Sequence, residues 1–182
     1  SIALLLCSAV LISAQDLVAN GSFESGSGTN ADNWTEGNSH TRSDDRSHTG
    51  TWSLKSTFTG GGTASRTSAI SVAQNTDYIL SARIYRTNST GAAALDLNDI
   101  AGEITLQTTT SGQWVYVEGN WNSGSNTSVT IRCITDGSPT AAIWFDDVSL
   151  VAVGSTPEPT PTPEPTPTPT PTPAPTPTPA PT

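Results

Sequence analysis

Cysteine is scarce in this sequence. Its 182 residues include two cysteines, Cys7 and Cys133. Cys7 lies in an apolar N-terminal segment that we expect to be removed, so Cys133 has no partner for a disulfide and no companion for a zinc site. The alternation in VTIRCIT places Val129, Ile131 and Cys133 on one strand face, which predicts that Cys133 is a small core residue.

Basic residues are also few, and they are not clustered. The chain has 7 Lys and Arg against 16 Asp and Glu, a net charge of -9 and a pI near 4.3. Nucleic-acid-binding domains carry a basic patch or stripe, so the sequence excludes nucleic acid as a partner. Charged residues make up only 13% of the chain. The abundance of Ser, Thr, Asn and Gly instead favours an extracellular β protein.

The motifs of common catalytic centres are missing as well. The sequence contains no GxSxG, no HExxH and no phosphate-binding glycine loop. Two carboxylates can form a glycosidase centre, and Asp96, Glu103, Glu118 and Asp136 are available. The sequence alone brings no two of them to the required separation. We therefore predict a domain that has no enzyme activity of its own.

No apolar run in the sequence is long enough to span a bilayer. The run SIALLLCSAVLISA, residues 1–14, is shorter than the roughly 20 residues that a membrane helix needs, and it ends in small residues. This pattern predicts a secretory signal peptide that is cleaved after Ala14. The mature protein is then expected to be secreted, outside the cell or on its surface, without an attachment to the membrane.

Residues 154–182 are dominated by alternating threonine and proline. Such a segment cannot bury apolar surface and has few backbone donors, which predicts a Thr/Pro-rich linker or stalk. In polyproline II geometry, residues 157–182 would span roughly 80 Å at about 3.1 Å per residue. Threonines in such stalks are common O-glycosylation acceptors.

The residues between these two ends, 15–153, show strand patterns. No helical apolar spacing persists over about twelve residues, whereas period-two runs recur between clusters of Gly, Ser, Thr, Asn and Asp. This pattern predicts an all-β domain, a two-sheet β-sandwich of jelly-roll type. Trp34 is expected to anchor the long polar segment 25–50, and Trp121 to lie in the core. The predicted strands are residues 16–19, 51–58, 66–72, 77–87, 91–98, 103–108, 113–121, 128–135 and 142–151.

The last predicted strand, IWFDDVSLV, contains two adjacent acids. Buried carboxylates are unfavourable unless a cation or hydrogen bonds compensate them, and calcium is a suitable cation. Another acid, Glu24, follows the first apolar run in NGSFE. First and last strands are often neighbours in an antiparallel sandwich, so we expect Glu24 to meet Asp146. These two carboxylates form a predicted metal site, with Asp147 as the substitute ligand if a bulge shifts the strand by one residue.

Two strands present polar and aromatic side chains on the face opposite the core. This face carries Arg83 and Tyr85 in YILSARIY, and Tyr116, Glu118 and Asn120 in QWVYVEGNW. Sugars place their C–H faces on aromatic rings, and their hydroxyls bond to planar polar groups. We therefore predict that these five residues bind a glycan. An ordinary solvated sheet face remains an open alternative.

The segments NGSFE, SHTGTWSLK, NTDYILSARIY, QWVYVEGNW, VTIRCIT and WFDDVSL follow one another between about residues 17 and 151. In this order they resemble the secreted carbohydrate-binding modules of families 4, 9, 16 and 22. The resemblance implies a galactose-binding-domain-like sandwich that binds a polysaccharide of plant cell-wall or β-glucan type. It also implies a structural Ca²⁺ held by Glu24, Asp146 and main-chain carbonyls, and a glycoside hydrolase tethered by the Thr-Pro segment.

A second function fits the same sequence. The domain would be a structural subunit of an extracellular filament, sheath or surface layer, and it would associate with copies of itself. Its glycosylated Thr-Pro tail would then coat the outside of the assembly. The two hypotheses differ in whether the domain binds a glycan.

Overall fold

The computed structural model of the chain describes residues 15–37, 39–57, 63–90, 92–98, 100–136 and 142–154. The predicted signal peptide and nearly all of the predicted linker lie outside these ranges. All the regular secondary structure of the described residues is β-strand. None of these residues belongs to a helix that could cross a membrane.

Thirteen strands form within the described residues, and the five longest have 7 to 11 residues. The alternation that the pleat of a strand produces is most regular in β12, where Val129, Ile131 and Cys133 are buried and the residues between them are not. The strands are β1 (Gly26–Ser27), β2 (Asn30–Ala31), β3 (Trp34–Thr35), β4 (His40–Ser43), β5 (Ser53–Thr57), β6 (Thr63–Thr67), β7 (Ile70–Ser71), β8 (Asp77–Arg86), β9 (Ala92–Asn98), β10 (Thr105–Gln107), β11 (Trp114–Asn122), β12 (Ser128–Asp136) and β13 (Ala142–Ala152).

The long predicted strands agree with the structure, whereas several short ones differ. The predicted strand 16–19 is reduced to an isolated bridge between Asp16 and Val151, because the chain turns from residue 19 onward. The predicted strand 66–72 is two separate strands, β6 and β7. The polar segment 25–50, expected to lack strand structure for most of its length, contains four short strands.

Two antiparallel sheets form the sandwich. The first has five strands in the order β11-β8-β13-β5-β4. The second has the order β10-β9-β12-β6-β3, with β7 also paired to β12. A separate pair, β1 and β2, forms a small hairpin. This arrangement confirms the predicted all-β sandwich.

The core lies between the two sheets and follows the predicted alternation. Leu80 and Ile84 of β8 are fully buried, as are Ile131 and Cys133 of β12 on the facing sheet. Cys133 is therefore a core residue, as predicted. Its burial raises the pKa of the thiol well above the ordinary value, and the charge of Asp96 adds to this rise.

The last strand, β13, contains a bulge at the two adjacent acids. Its pairing with β8 shifts in register between Asp146 and Ser149, and Asp147 has a left-handed backbone with φ of 49°. The N-terminal turn packs against this bulge, where the N–H of Val148 donates to the carbonyl of Gly21 at 2.9 Å. Gly21 has to be glycine, because a Cβ atom there would overlap the carbonyl oxygen of Val148. The two ends of the domain thus meet beside Asp146.

Candidate carbohydrate-binding face

The outer face of the five-stranded sheet carries the predicted glycan-binding residues. The register of β8 and β11 places Tyr116 directly opposite Arg83, and Trp114 opposite Tyr85. On the other side of β8, Trp144 of β13 also lies opposite Tyr85. Side chains two residues apart along a strand share a face, and so do those at paired positions of adjacent strands. The face that points away from the core therefore carries Tyr116, Arg83, Trp114, Tyr85 and Trp144. The register thus joins the predicted residues to two tryptophans that we did not assign to the site.

Tyr116 is the exposed aromatic residue of this face, with 46% of its surface accessible. The guanidinium carbon of Arg83 lies 4.7 Å from the centre of its ring. Its hydroxyl donates a hydrogen bond of 3.0 Å to Oε2 of Glu118. Glu118 and the exposed Asn120, two residues further along the same strand, both line a small cavity of about 200 Å³. Four of the five predicted residues therefore form one continuous group.

Tyr85, in contrast, lies under the loop of residues 44–52 that connects β4 to β5. The guanidinium carbon of Arg46 is 3.9 Å from the centre of the Tyr85 ring and 5.1 Å from that of Trp144. Trp114 and Trp144 both contact the ring edge-on, with centroids 5.7 Å away. One flat surface of Tyr85 is thus occupied by Arg46. This contact is not predictable from the sequence, because the polar loop has no periodic pattern.

Asp45 fixes the β4–β5 loop to the sheet. Its carboxylate forms an ion pair with Lys55 and accepts hydrogen bonds from Nε1 of Trp144 at 2.9 Å and from the hydroxyl of Ser43 at 2.7 Å. Burial alone would raise the pKa of Asp45, but the bonds from Lys55, Trp144 and Ser43 outweigh it and lower the pKa to about 2. The carboxylate is therefore ionised at neutral pH and holds the loop over Trp144.

The two predicted metal ligands accept hydrogen bonds from neighbouring parts of the same loop. Asp146 is fully buried, and its Oδ2 accepts hydrogen bonds from the main-chain N–H groups of residues 48–49 at 2.7 and 3.1 Å. Oε1 of Glu24 accepts hydrogen bonds from those of residues 51–52 at 2.9 and 2.8 Å. Glu24 and Asp146 thus lie at adjacent parts of the β4–β5 loop, although no hydrogen bond joins them directly.

The electrostatics of Asp146 are unfavourable for a negative charge. Burial raises the pKa of this carboxyl to about 6; hydrogen bonds from main-chain N–H groups oppose this rise, and the charge of Asp147 adds to it. Asp147 itself lies 2.6 Å from Nδ1 of His48 and accepts a bond from the hydroxyl of Thr49. In the described ranges no three His, Cys, Asp or Glu side chains are grouped to hold a metal ion. A cation here would depend on two carboxylates together with main-chain carbonyls.

The remaining tryptophans have structural positions. Trp34 and Trp121 are 8% and 3% exposed, which confirms the predicted anchoring and core roles. Trp52 is partly exposed, and the guanidinium carbon of Arg42 stacks 3.7 Å from its ring centre. Arg42 is itself held by a bond of 2.6 Å to the carbonyl of Phe23. Trp52 lines a cavity of about 460 Å³ at the edge of the same sheet.

The outer face of the opposite sheet is built differently. Arg132 donates two hydrogen bonds to the carboxylate of Asp96, at 2.9 and 2.6 Å, from the facing position on the neighbouring strand. The exposed Arg66 lies opposite Arg132 on its other side. The described outward positions of β6, β9, β10 and β12 include no aromatic residue. This face offers charge pairs but no ring on which a sugar could stack.

The sequence matches the profile of a carbohydrate-binding domain family, CBM_4_9, over residues 15–140. The match covers more than half of the chain, so this protein belongs to that family of carbohydrate-binding modules. Such modules bind carbohydrate and are not catalytic, which confirms the prediction of a binding domain without enzyme activity. Among curated proteins, no sequence matches this chain.

Solved structures of similar modules share the fold. A family 16 carbohydrate-binding module has 19% identity and a TM-score of 0.58, with 74% of this chain and 99% of that one covered. The module TmCBM61, in complex with β-1,4-galactotriose, has 15% identity and a TM-score of 0.61, covering 76% and 99%. The CBM22-1 xylan-binding domain of Paenibacillus barcinonensis has 18% identity and a TM-score of 0.55, covering 78% and 96%. At these identities the likeness establishes the sandwich fold alone.

Proposed function

We propose that this chain is a secreted, non-catalytic module that binds a polysaccharide of plant cell-wall or β-glucan type on its five-stranded sheet. The residues that form this site would be Arg83, Tyr85, Tyr116, Glu118 and Asn120. The observation that carries the proposal is the exposed Tyr116 ring, which lies directly opposite Arg83. Donors and acceptors thus surround a flat apolar surface, as sugar binding requires.

The five residues have different roles in this proposal. Tyr116 provides the stacking surface, because a sugar ring presents C–H groups that pack on an aromatic face. Arg83 donates to sugar oxygens, Glu118 accepts from hydroxyls, and Asn120 can do both. Tyr85 supports Arg46 from below, because that guanidinium already occupies one face of its ring.

The Thr-Pro segment would tether the module to a glycoside hydrolase. A binding module increases the local concentration of a linked enzyme on an insoluble substrate, provided the linker spans the distance between them. Support for a polysaccharide ligand comes from similar modules, one of them described as xylan-binding and another in complex with a galactotriose. Secretion, the linker and the enzyme are parts of the proposal that rest on the sequence.

We also propose a structural calcium ion between Glu24 and Asp146. The donors fit this ion, because carboxylate and carbonyl oxygens suit calcium, whereas zinc prefers nitrogen and sulfur. The buried Asp146, with its raised pKa, is a carboxylate whose charge a cation would compensate. Bound calcium would supply positive charge at the junction of the last strand, the N-terminal turn and the β4–β5 loop.

Affinity gel electrophoresis against a panel of glycans tests the proposed binding face. Tyr116→Ala should weaken retardation, because the lost aromatic contact reduces the binding free energy by about 1–2 kcal/mol. Arg66→Ala is the matched control, since it removes an exposed arginine from the opposite sheet. If Arg66→Ala weakens binding while Tyr116→Ala does not, the site lies on the other face. If the native chain binds no glycan of the panel, the structural-subunit hypothesis is favoured.

A further inference from the structure

The basic residues of this chain differ in whether an acceptor group of the protein bonds to them. The chain has seven Lys and Arg in total. Within the described structure three arginines have no hydrogen-bond acceptor: Arg46, Arg66 and Arg83. The other four are held by ion pairs or carbonyls: Lys55 by Asp45, Arg132 by Asp96, Arg42 by the carbonyls of Phe23 and Glu24, and Arg86 by those of Thr90 and Thr108.

Two of the three unbonded arginines are partly buried. Arg66 is exposed, so water hydrates it. Arg46 and Arg83 are only partly accessible, and Nε of Arg46 is buried without a hydrogen-bond partner in the described structure. A buried donor without an acceptor costs free energy, and more so when it is charged. Nε of Arg46 is itself inaccessible, so an acceptor from outside the chain would bond to the terminal N–H groups of Arg46 and to Arg83 and offset the cost in part.

The same two arginines lie on the proposed glycan-binding face. Arg46 stacks on Tyr85 at 3.9 Å, and Arg83 on Tyr116 at 4.7 Å. Tyr85 and Tyr116 occupy diagonal positions on adjacent strands, which places them about 7–8 Å apart. A guanidinium group stacked on a ring keeps the N–H groups of its edge free to bond in its own plane.

The acids near this face do not supply acceptors to these arginines. Asp45 is engaged by Lys55, Trp144 and Ser43, and Asp146 by main-chain N–H groups of the loop. Asp147 is engaged by His48 and Thr49. Glu118, which is exposed, accepts one hydrogen bond within the described part of the chain, from Tyr116. In a chain where acids outnumber bases 16 to 7, Arg46 and Arg83 thus have no carboxylate partner among the described residues.

We infer that the polysaccharide bound on this face is an acidic one, whose uronic acid carboxylates are received by Arg46 and Arg83. This inference rests on the proposed binding face. A carboxylate matches the guanidinium fork with two parallel hydrogen bonds, which a single sugar hydroxyl cannot provide. The adjacent Tyr116 ring would stack on the body of the same sugar or its neighbour.

The net negative charge of the chain acts against the binding of an acidic polysaccharide. A charge of -9 repels a polyanion at long range, while the two guanidinium groups attract its carboxylates locally. Added salt screens both effects, so its influence on affinity has no single sign. The informative comparison is between a polyuronate and the same polymer after its carboxyl groups have been reduced to alcohols, since both share one backbone.

The experiment measures the affinity of the complete chain for this pair of polymers by affinity electrophoresis. The native protein should bind the polyuronate at least about tenfold more tightly than its reduced form, given the strength of hydrogen bonds between charged groups. Arg83→Gln should remove most of this preference, while Arg83→Lys should restore only part of it. Arg66→Gln is the control and should change nothing. Glu118→Gln should strengthen binding of the polyuronate, because it removes a like charge beside Arg83.

Each outcome separates the inference from the function on which it rests. Equal affinity of the native protein for both polymers, or tighter binding of the reduced one, overturns the inference but leaves polysaccharide binding intact. Binding of sulfated but not of carboxylated polymers overturns it as well. Absence of binding to any glycan refutes the proposed function itself. Thermal unfolding shows whether Arg83→Gln is folded, and the polymer comparison on the native chain does not depend on any variant.

Discussion

The two outer faces of the sandwich share the alternation of their strands but differ in whether their charged side chains are paired with one another. On the face of β9 and β12, Arg132 and Asp96 satisfy each other with two hydrogen bonds. On the face of β8 and β11, Arg83 stacks on an exposed tyrosine and has no carboxylate partner in the described structure. A face whose charges are paired internally offers little to a ligand. The unpaired donors and the exposed ring therefore favour the face of β8 and β11 as the proposed binding surface.

The two faces also differ in what covers them. The β4–β5 loop lies over Tyr85 and Trp144 and is held by Glu24, Asp45 and Asp146. The loop makes the five-stranded face uneven, because it covers the centre of the sheet and leaves Tyr116 open. Disturbing the carboxylates that hold the loop is thus the most direct way to change one face without the other.

Removal of calcium should have the largest effect on stability. If the ion binds between Glu24 and Asp146, a chelator should lower the free energy of unfolding by about 3–4 kcal/mol relative to calcium at 100 to 1,000 times its Kd. Thermal unfolding with calcium and with chelator measures the difference as a shift in Tm. Glu24→Gln and Asp146→Asn should lose this response, whereas Asp96→Asn on the opposite face should retain it. An unchanged Tm of the native chain after chelation would contradict the site.

His40 should make the protein sensitive to acid. It is 3% exposed, both its ring nitrogens lack partners in the described structure, and burial lowers its pKa from 6.5 to about 4. The unfolded chain therefore binds a proton at higher pH than the folded one. The stability that neutral His40 contributes is present above pH 6.5 and is lost as the pH falls towards 4, by about 3 kcal/mol in total.

His40→Leu provides the measurement of this effect. The difference in unfolding free energy between the variant and the native chain should grow in favour of the variant between pH 6.5 and 4. Asp146, whose pKa is raised to about 6, titrates in the same window with the opposite sign, since burial favours its protonated form. The carboxyl of Asp146 is present in both proteins, so its contribution cancels in the difference. A difference independent of pH would show that His40 is not buried in the neutral form.

Breaking the ion pair of the opposite face should affect stability but not binding. Asp96→Asn leaves Arg132 partly buried without its charged partner, which should cost about 1–2 kcal/mol of unfolding free energy, less than for a fully buried pair. Chemical denaturation measures this loss, and affinity electrophoresis should show unchanged glycan retardation. Weaker retardation in Asp96→Asn would place the ligand on this face and not on the face of β8 and β11.

The features that can be predicted from the sequence are those that depend on the alternation of apolar and polar residues along the strands. The alternation along β8 and β11 predicts the common face of Arg83, Tyr116 and Glu118. It could not identify the contact of Arg46 with Tyr85, because a polar loop has no period from which its path follows. Nor could it establish the bulge that it allows for at the two acids, where Asp147 adopts a left-handed backbone beside the packed N-terminal turn.

The smallest predicted effect distinguishes the ring of Tyr116 from its hydroxyl. Tyr116→Phe keeps the stacking surface and removes the 3.0 Å hydrogen bond to Glu118. The bond is exposed, so its loss should change the binding free energy by only about 0.5 kcal/mol, against about 1–2 kcal/mol for Tyr116→Ala. Calorimetric titration of both variants with the same oligosaccharide measures the ratio. An equal loss in the two variants would mean that the hydroxyl and its carboxylate partner, rather than the flat ring, hold the sugar.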